Sequence, residues 1–202
     1  EMCIRDSLYI SGVTYHGYNA QIARMIAVGD ITDKQEEVLQ MCTEGVEAAA
    51  AMARPGVLVS DVANASFEPY IRRGYLRSHD SRVMPYNWEA AEDGGPRLVP
   101  RRYVPDEDWE RQGRQLMHVY PATRGPHNPN VGHSVSMPRF SNYNIASNNH
   151  DVLEEGMTFV LHSQWLEPEV AGANLGNCYL VTQGGLENLS CHTPLETHRI
   201  KA

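Results

Sequence analysis

The sequence predicts an α+β domain, because two strand-like segments are followed by two helices and then by a further group of strands. At 202 residues, with 42% apolar and 21% charged residues, the chain is long enough to bury one core. The net charge of −8, without a basic stripe, argues against binding to nucleic-acid phosphates. No stretch reaches the length of a membrane span, so we expect neither a nucleic-acid nor a membrane partner.

Residues 8–18 and 21–28 form the first two predicted strands, which are antiparallel. Gly17, Tyr18 and Asn19 supply the residue types of the turn between them. Residues 1–7 join no pattern, and we interpret them as a non-native joint that lies outside the domain. The domain is then expected to comprise residues 8–202 and to be the C-terminal part of something longer.

Two helices are predicted after the hairpin. Thr32 and Gln35 have the spacing of a capping box, and apolar residues recur at helical spacing until Pro55. Ser60 and Asp61 are the predicted caps of a second helix, which ends near residue 74 and contains a proline at position 69.

Residues 77–130 form a proline-rich insertion in which only 106–119 has a helical pattern. Strand-like segments return at 131–137, 157–166 and 174–182, and residues 186–189 form one more short strand.

An ordered series of motifs runs through these elements. It comprises Gly12, Tyr15, Gly17, Tyr18 and Arg24, then Arg54-Pro55-Gly56, Ser60-Asp61-Val62, Gly132-His133-Ser134, and the segments 153–159 and 180–189. This series resembles the catalytic domain of the creatinase, Xaa-Pro aminopeptidase and methionine aminopeptidase family. The resemblance implies a pita-bread fold, truncated at its N-terminus, in which a curved antiparallel sheet carries helices on its outer face and an active site on its concave face.

Typical members of that family bind two divalent metals through two aspartates, one histidine and two glutamates. Their positions correspond here to Ile10, Gln21, His133, His162 and Gly176, so four of the five residues differ. Paired hard cations need anionic oxygens. We therefore expect no dinuclear centre and no cofactor, although a single softer ion such as zinc at His133 and His162 stays possible.

His133 and His162 are the predicted catalytic residues, with one imidazole as general base and the other as acid or electrophile. The alternative is that each ring packs or bonds to backbone. Gln21, His16 and Asn174 are candidate substrate-binding groups, although turn chemistry explains His16 more simply. Arg24 is expected to be structural and to bind carbonyls or a carboxylate.

The resemblance implies a hydrolase of the aminopeptidase P and creatinase type that acts on a small amide, an amidine or a dipeptide-like Xaa-Pro C–N bond. The alternative function is a non-catalytic binding module that keeps the cleft. The resemblance also implies a homodimer of the full-length protein. The four cysteines form no CxxC pair, so we expect free thiols and a cytoplasmic location.

Overall fold

The computed structural model describes residues 6–74, 86–90, 96–100, 130–135, 144–147, 149–167 and 170–201. The helices of this part of the chain are α1 (Asp33–Met52) and α2 (Val59–Arg72). The strands are β1 (Asp6–Tyr15), β2 (Tyr18–Val28), β3 (Tyr86–Ala90), β4 (Pro96–Pro100), β5 (Gly132–Ser134), β6 (Asn144–Ile145), β7 (Thr158–Glu167), β8 (Ala171–Thr182), β9 (Gly185–Asn188) and β10 (His198–Ile200). The predicted helix at 106–119 lies outside the described residues.

One mixed sheet organises the domain. Its strands follow the order β1-β2-β8-β7-β5-β6, while β9 pairs with β8, and β10 runs parallel to the end of β2. All the other pairs of this sheet are antiparallel. Strands β3 and β4 form a separate hairpin within the insertion. The expected α+β architecture, with a largely antiparallel sheet, is therefore observed.

The first hairpin turns one residue earlier than predicted. Tyr15 pairs with Tyr18, so His16 and Gly17 alone form the turn, and Tyr18 already belongs to β2. Both turn residues have positive φ angles, 48° and 85°. A two-residue turn of this kind matches the twist of the flanking strands, which explains why the loop is shorter than the predicted one. Strand β1 begins at Asp6 rather than at residue 8, so the last two residues of the segment 1–7 belong to the sheet.

The capping box predicted for α1 is confirmed. The Thr32 hydroxyl accepts from the Gln35 N–H at 3.3 Å, and the Gln35 side chain accepts from the Thr32 N–H at 2.8 Å. The predicted caps of α2 are wrong, because Leu58 is the N-cap and has no side-chain cap bond. A bridge from Leu58 to Val152 and a 2.9 Å bond from the Val59 N–H to the Asp151 carbonyl hold this helix start instead.

The core lies between the helices and one face of the sheet. Alternate residues of β7, namely Phe159, Leu161 and Trp165, are buried with the apolar side of α1 and α2. Val160 points the other way and forms a separate small cluster with Val135 and Cys178. The sheet therefore has a face covered by helices and an opposite face, which we call the open face. Within the described residues, no helix combines the length and apolar character needed to cross a bilayer.

Gly45 allows α1 to approach both β7 and α2 closely. A Cβ atom there would overlap the Ser163 hydroxyl oxygen and would lie 3.0 Å from the Ser66 carbonyl oxygen. The Ser163 hydroxyl is itself hydrogen-bonded to the buried Tyr70 hydroxyl, so it cannot move away freely. We expect Gly45→Ala to lower the free energy of unfolding by about 1–3 kcal/mol, measured by urea denaturation. Gly184→Ala is the control, since nothing lies within 4 Å of its Cβ position; equal losses in both variants would contradict the argument.

Candidate active site

The two predicted catalytic histidines meet on the open face. His133 on β5 pairs with Val160 on β7, and residues that pair across antiparallel strands point to the same face. His162 lies two residues beyond Val160 and shares its face. Their ring centroids are 5.6 Å apart, with the ring planes inclined at 61°. The two rings therefore lie close together and neither faces the helices, while His133 also has the backbone contact that the alternative describes.

His133 has one ring nitrogen committed to the backbone. Its Nδ1 lies 3.1 Å from the carbonyl oxygen of Ser134. A carbonyl only accepts, so Nδ1 carries the proton in this contact and Nε2 keeps its lone pair in the neutral ring. The ring is half-buried. His133 thus offers a fixed, partly accessible acceptor nitrogen on the open face.

His162 is much more deeply placed. The residue is 5% exposed, and its buried Nδ1 has no hydrogen-bond partner among the described residues. Burial, and to a smaller extent repulsion from the neighbouring His133 ring, lower the pKa of His162 to about 4. His162 is therefore uncharged at neutral pH.

Asn174 lies on the same face, diagonally across from His162. It pairs with Gln164 on β7, while the next residue on that face of β8, Gly176, pairs with His162. The side-chain oxygen of Asn174 is buried and has no hydrogen-bond partner in the described part of the chain. Two orphaned polar atoms, one on His162 and one on Asn174, thus lie near each other on the open face.

The other two candidate substrate-binding residues are placed differently. Gln21 is half-buried, and its main chain is linked to Cys178, whose thiol donates to the Gln21 carbonyl at 3.0 Å. His16 occupies the exposed hairpin turn, where its ring contacts that of Tyr15 with centroids 4.2 Å apart. The structure therefore brings Gln21 close to the open face through β8, and it leaves His16 at the tip of the hairpin.

Arg24 has the structural role expected of it. Its guanidinium donates to the carbonyl oxygens of Gly176 at 2.6 Å and Thr193 at 2.7 Å, and to the side-chain oxygen of Asn177 at 2.6 Å. Burial lowers the pKa of Arg24. These bonds tie β2 to β8 and to the segment after β9, and they hold the strand that carries Gly176 in place.

Two residues of the open face were missed from the sequence. Gln164 lies opposite Asn174, and Cys178 joins the Val160 cluster while bonding to Gln21. The signal that predicts both is strand alternation, because Gln164 follows His162 by two positions and Cys178 follows Gly176 by two.

The residues present do not fit a pair of hard divalent cations. Across the described part of the chain, no group of three or more His, Cys, Asp or Glu side chains is placed to hold a metal ion. Gly176 offers no ligand atom, and a Cβ there would lie 2.7 Å from the His162 Cβ and 2.8 Å from the Leu161 carbonyl oxygen. A carboxylate side chain could not be added at position 176 without moving β7.

A cavity of about 410 Å³ lies on the open face two strand positions from the histidine pair, whose rings do not line it. Three of its lining residues are Val135, Thr158 and Cys178, which share that face. Val135 follows His133 by two residues, which corresponds to about 7 Å along a strand. The other lining residues come from β2 and from the segment after β9: Tyr18, Asn19, Ala20, Ile22, Leu189, Ser190, His192 and Thr193.

Comparison with known proteins agrees with this architecture. The sequence profile of metallopeptidase family M24 matches residues 8–183. An Xaa-Pro dipeptidase of Lactobacillus delbrueckii subsp. lactis is 24% identical over 189 residues, which is 94% of this chain and 38% of the relative.

Solved structures show the same fold. Dipeptidase PepE from Mycobacterium ulcerans superposes with a TM-score of 0.67 at 17% identity, over 98% of this chain and 40% of that one. X-Pro aminopeptidase from Thermotoga maritima MSB8 superposes with a TM-score of 0.67 at 16% identity, over 96% of this chain and 42% of that one.

The fold and the profile together define a pita-bread domain of the metallopeptidase class. The chain belongs to metallopeptidase family M24. It spans about two fifths of the length of the relatives it matches.

Proposed function

We propose that this domain hydrolyses the C–N bond of a small amide or Xaa-Pro-type substrate with a histidine-based site that needs no metal pair. The observation that carries the proposal is the contact between His133 and His162 on the open face, with centroids 5.6 Å apart. The family membership and the similarity to Xaa-Pro dipeptidases support the reaction class. The homodimer and the cytoplasmic location implied earlier belong to this proposal as well.

His133 is the general base of the proposed mechanism. The bond from Nδ1 to the Ser134 carbonyl leaves Nε2 as an acceptor. Nε2 takes a proton from water while the water oxygen bonds to the amide carbon. The C–N bond then breaks, and the proton held by His133 passes to the departing nitrogen. A carboxylic acid and an amine are the products.

His162 acts in its neutral form. Because burial lowers its pKa to about 4, it is a weak base at neutral pH and does not compete with His133 for the proton. A neutral imidazole N–H can donate to the oxygen that becomes negative during attack on the amide carbon. The two rings thus take different roles because their burial differs.

The second candidate function is a binding module without catalysis. The residues at the family's metal-ligand positions favour it, because Gly176 and Ile10 provide no ligand atom for the metals used elsewhere in the family. Such a module would hold the same ligand on the open face and release it unchanged.

We expect His133→Ala to reduce kcat/KM for amide hydrolysis by about 10²- to 10⁴-fold, the usual contribution of a positioned general base. The assay follows amine release from a small amide and from an Xaa-Pro dipeptide, with chelator-treated protein. His198→Ala is the matched control, since His198 is an exposed residue of β10.

Three outcomes of this assay decide between the candidates. Activity that survives chelation and depends on His133 supports the proposal. Activity that is lost on chelation and restored by manganese, cobalt or zinc contradicts it. Ligand binding without any turnover supports the binding module.

A further inference from the structure

We propose that the 410 Å³ cavity beside the histidine pair is the subsite for an apolar substituent, so that the ligand is an uncharged amide with a short aliphatic chain. This inference rests on the proposed function for the position of the amide group. It goes further because it assigns a second binding region and a chemical class of substrate.

The cavity offers an apolar surface. Val135, Ile22 and Leu189 contribute aliphatic side chains to it. Several of its polar side chains are already bonded within the protein: the Thr158 hydroxyl donates to the Val135 carbonyl, the Cys178 thiol donates to the Gln21 carbonyl, and the Ser190 hydroxyl accepts from the Cys178 N–H. A ligand group that enters therefore gains mainly by removing apolar surface from water. The volume lies within the range of small-molecule sites.

Around the two histidines, the same face requires a polar ligand group rather than an apolar one. Among the residues that the structure describes, none is a hydrogen-bond partner of the buried His162 Nδ1 or the buried Asn174 side-chain oxygen. Orphaned buried polar atoms cost free energy until a partner reaches them. Because His133 and Asn174 are half-buried, they form the accessible border of this region, where a polar ligand group can reach the orphaned atoms.

The polar group is expected to be neutral. Among the described residues of β5, β7 and β8 that share the open face, none is a carboxylate, a lysine or an arginine. A charged ligand group would be desolvated there without a counter-charge, which is costly. An amide satisfies the geometry because its N–H can meet His162 Nδ1, at the level of Gly176, while its aliphatic chain extends about 7 Å along the strands to Cys178 and the cavity.

The test is a binding titration of the chain with probes that differ in one property at a time. Hexanamide, hexanoate and hexanamidinium have the same shape with charges of zero, minus one and plus one. The amides from acetamide to hexanamide differ only in chain length. We expect hexanamide to bind at least tenfold more tightly than either ion, and each added methylene to tighten binding about fourfold until the cavity is filled.

Variants locate the two ends of the ligand. Ala20 lines the cavity, so Ala20→Phe should remove the dependence on chain length while acetamide still binds. Ala51→Phe, at an exposed position of α1, is the matched control and should change nothing. Asn174→Asp should reverse the preference in favour of hexanamidinium, since it places a carboxylate where the orphaned oxygen lies. Thermal unfolding of each variant checks that it is folded.

Equal binding of the three six-carbon probes, or an affinity that does not rise with chain length, would overturn the inference. So would a chain-length dependence that survives Ala20→Phe in a folded variant. These outcomes are independent of turnover, because binding is measured without hydrolysis. A chain that binds hexanamide as described but hydrolyses nothing keeps this inference and contradicts the hydrolase proposal.

Discussion

Replacing Gly132 with alanine is expected to lower the free energy of unfolding by about 3 kcal/mol, at the upper end of overpacking costs. A Cβ at this position would overlap the Val160 carbonyl oxygen and would lie 3.1 Å from Cγ1 of the fully buried Ile145. The first neighbour is backbone of β7 and cannot rotate out of the way. The strain falls on the pairing of β5 with β7, so it displaces His133 as well.

The measurement combines urea unfolding with the distance between the two histidine rings, which is followed by NMR contacts between the labelled imidazoles. Gly12→Ala is the control, because this glycine also lies in a strand and its Cβ would meet only the Ala20 carbonyl oxygen, at 3.9 Å. If the Gly132→Ala and wild-type unfolding curves superimpose, the close approach of β5 to β7 is not as described.

Local signals in the sequence were sufficient for the elements that local contacts determine. Thr32 and Gln35 predict the start of α1 because the capping box involves only four neighbouring residues. The start of α2 depends instead on Leu58 meeting Val152, almost a hundred positions away in the chain. No local pattern reports such a contact. The same reason explains why β10, a three-residue strand that pairs with β2, was not predicted.

In the candidate site, too, some features could be predicted from the sequence, and others depend on contacts between distant residues. The meeting of His133 and His162 was proposed from the family resemblance, and the β5–β7 register confirms that they lie together. His16 was proposed from residue type alone. It lies in the turn because Tyr15 pairs with Tyr18, and its φ angle there is positive. The unequal burial of the two rings depends on the packing of three strands, which residue spacing does not report. That inequality is what gives the pair two chemical roles.

Acidification from pH 7 to pH 4 is expected to lower the free energy of unfolding by about 3 kcal/mol through His162 alone. The slope is about 1.4 kcal/mol per pH unit between the pKa values of His162 in the folded and the unfolded chain. Burial lowers the pKa of His162 to about 4 in the folded chain, from its ordinary 6.5. Between these values the unfolded chain binds a proton that the folded chain does not. The contribution of His162 is therefore complete above pH 6.5 and is lost as the pH falls toward 4.

Urea denaturation at half-unit pH steps, on the wild type and on His162→Gln, isolates this contribution because all other titrating groups are common to both. Glutamine keeps a polar side chain but does not titrate, so the stability advantage of the wild type over the variant should shrink by about 3 kcal/mol across the window. His198→Gln, on the exposed strand β10, should leave the difference flat. Parallel curves for the wild type and His162→Gln would mean that His162 is solvated when folded. That result would contradict both the neutral role of His162 and the absence of charge on the open face.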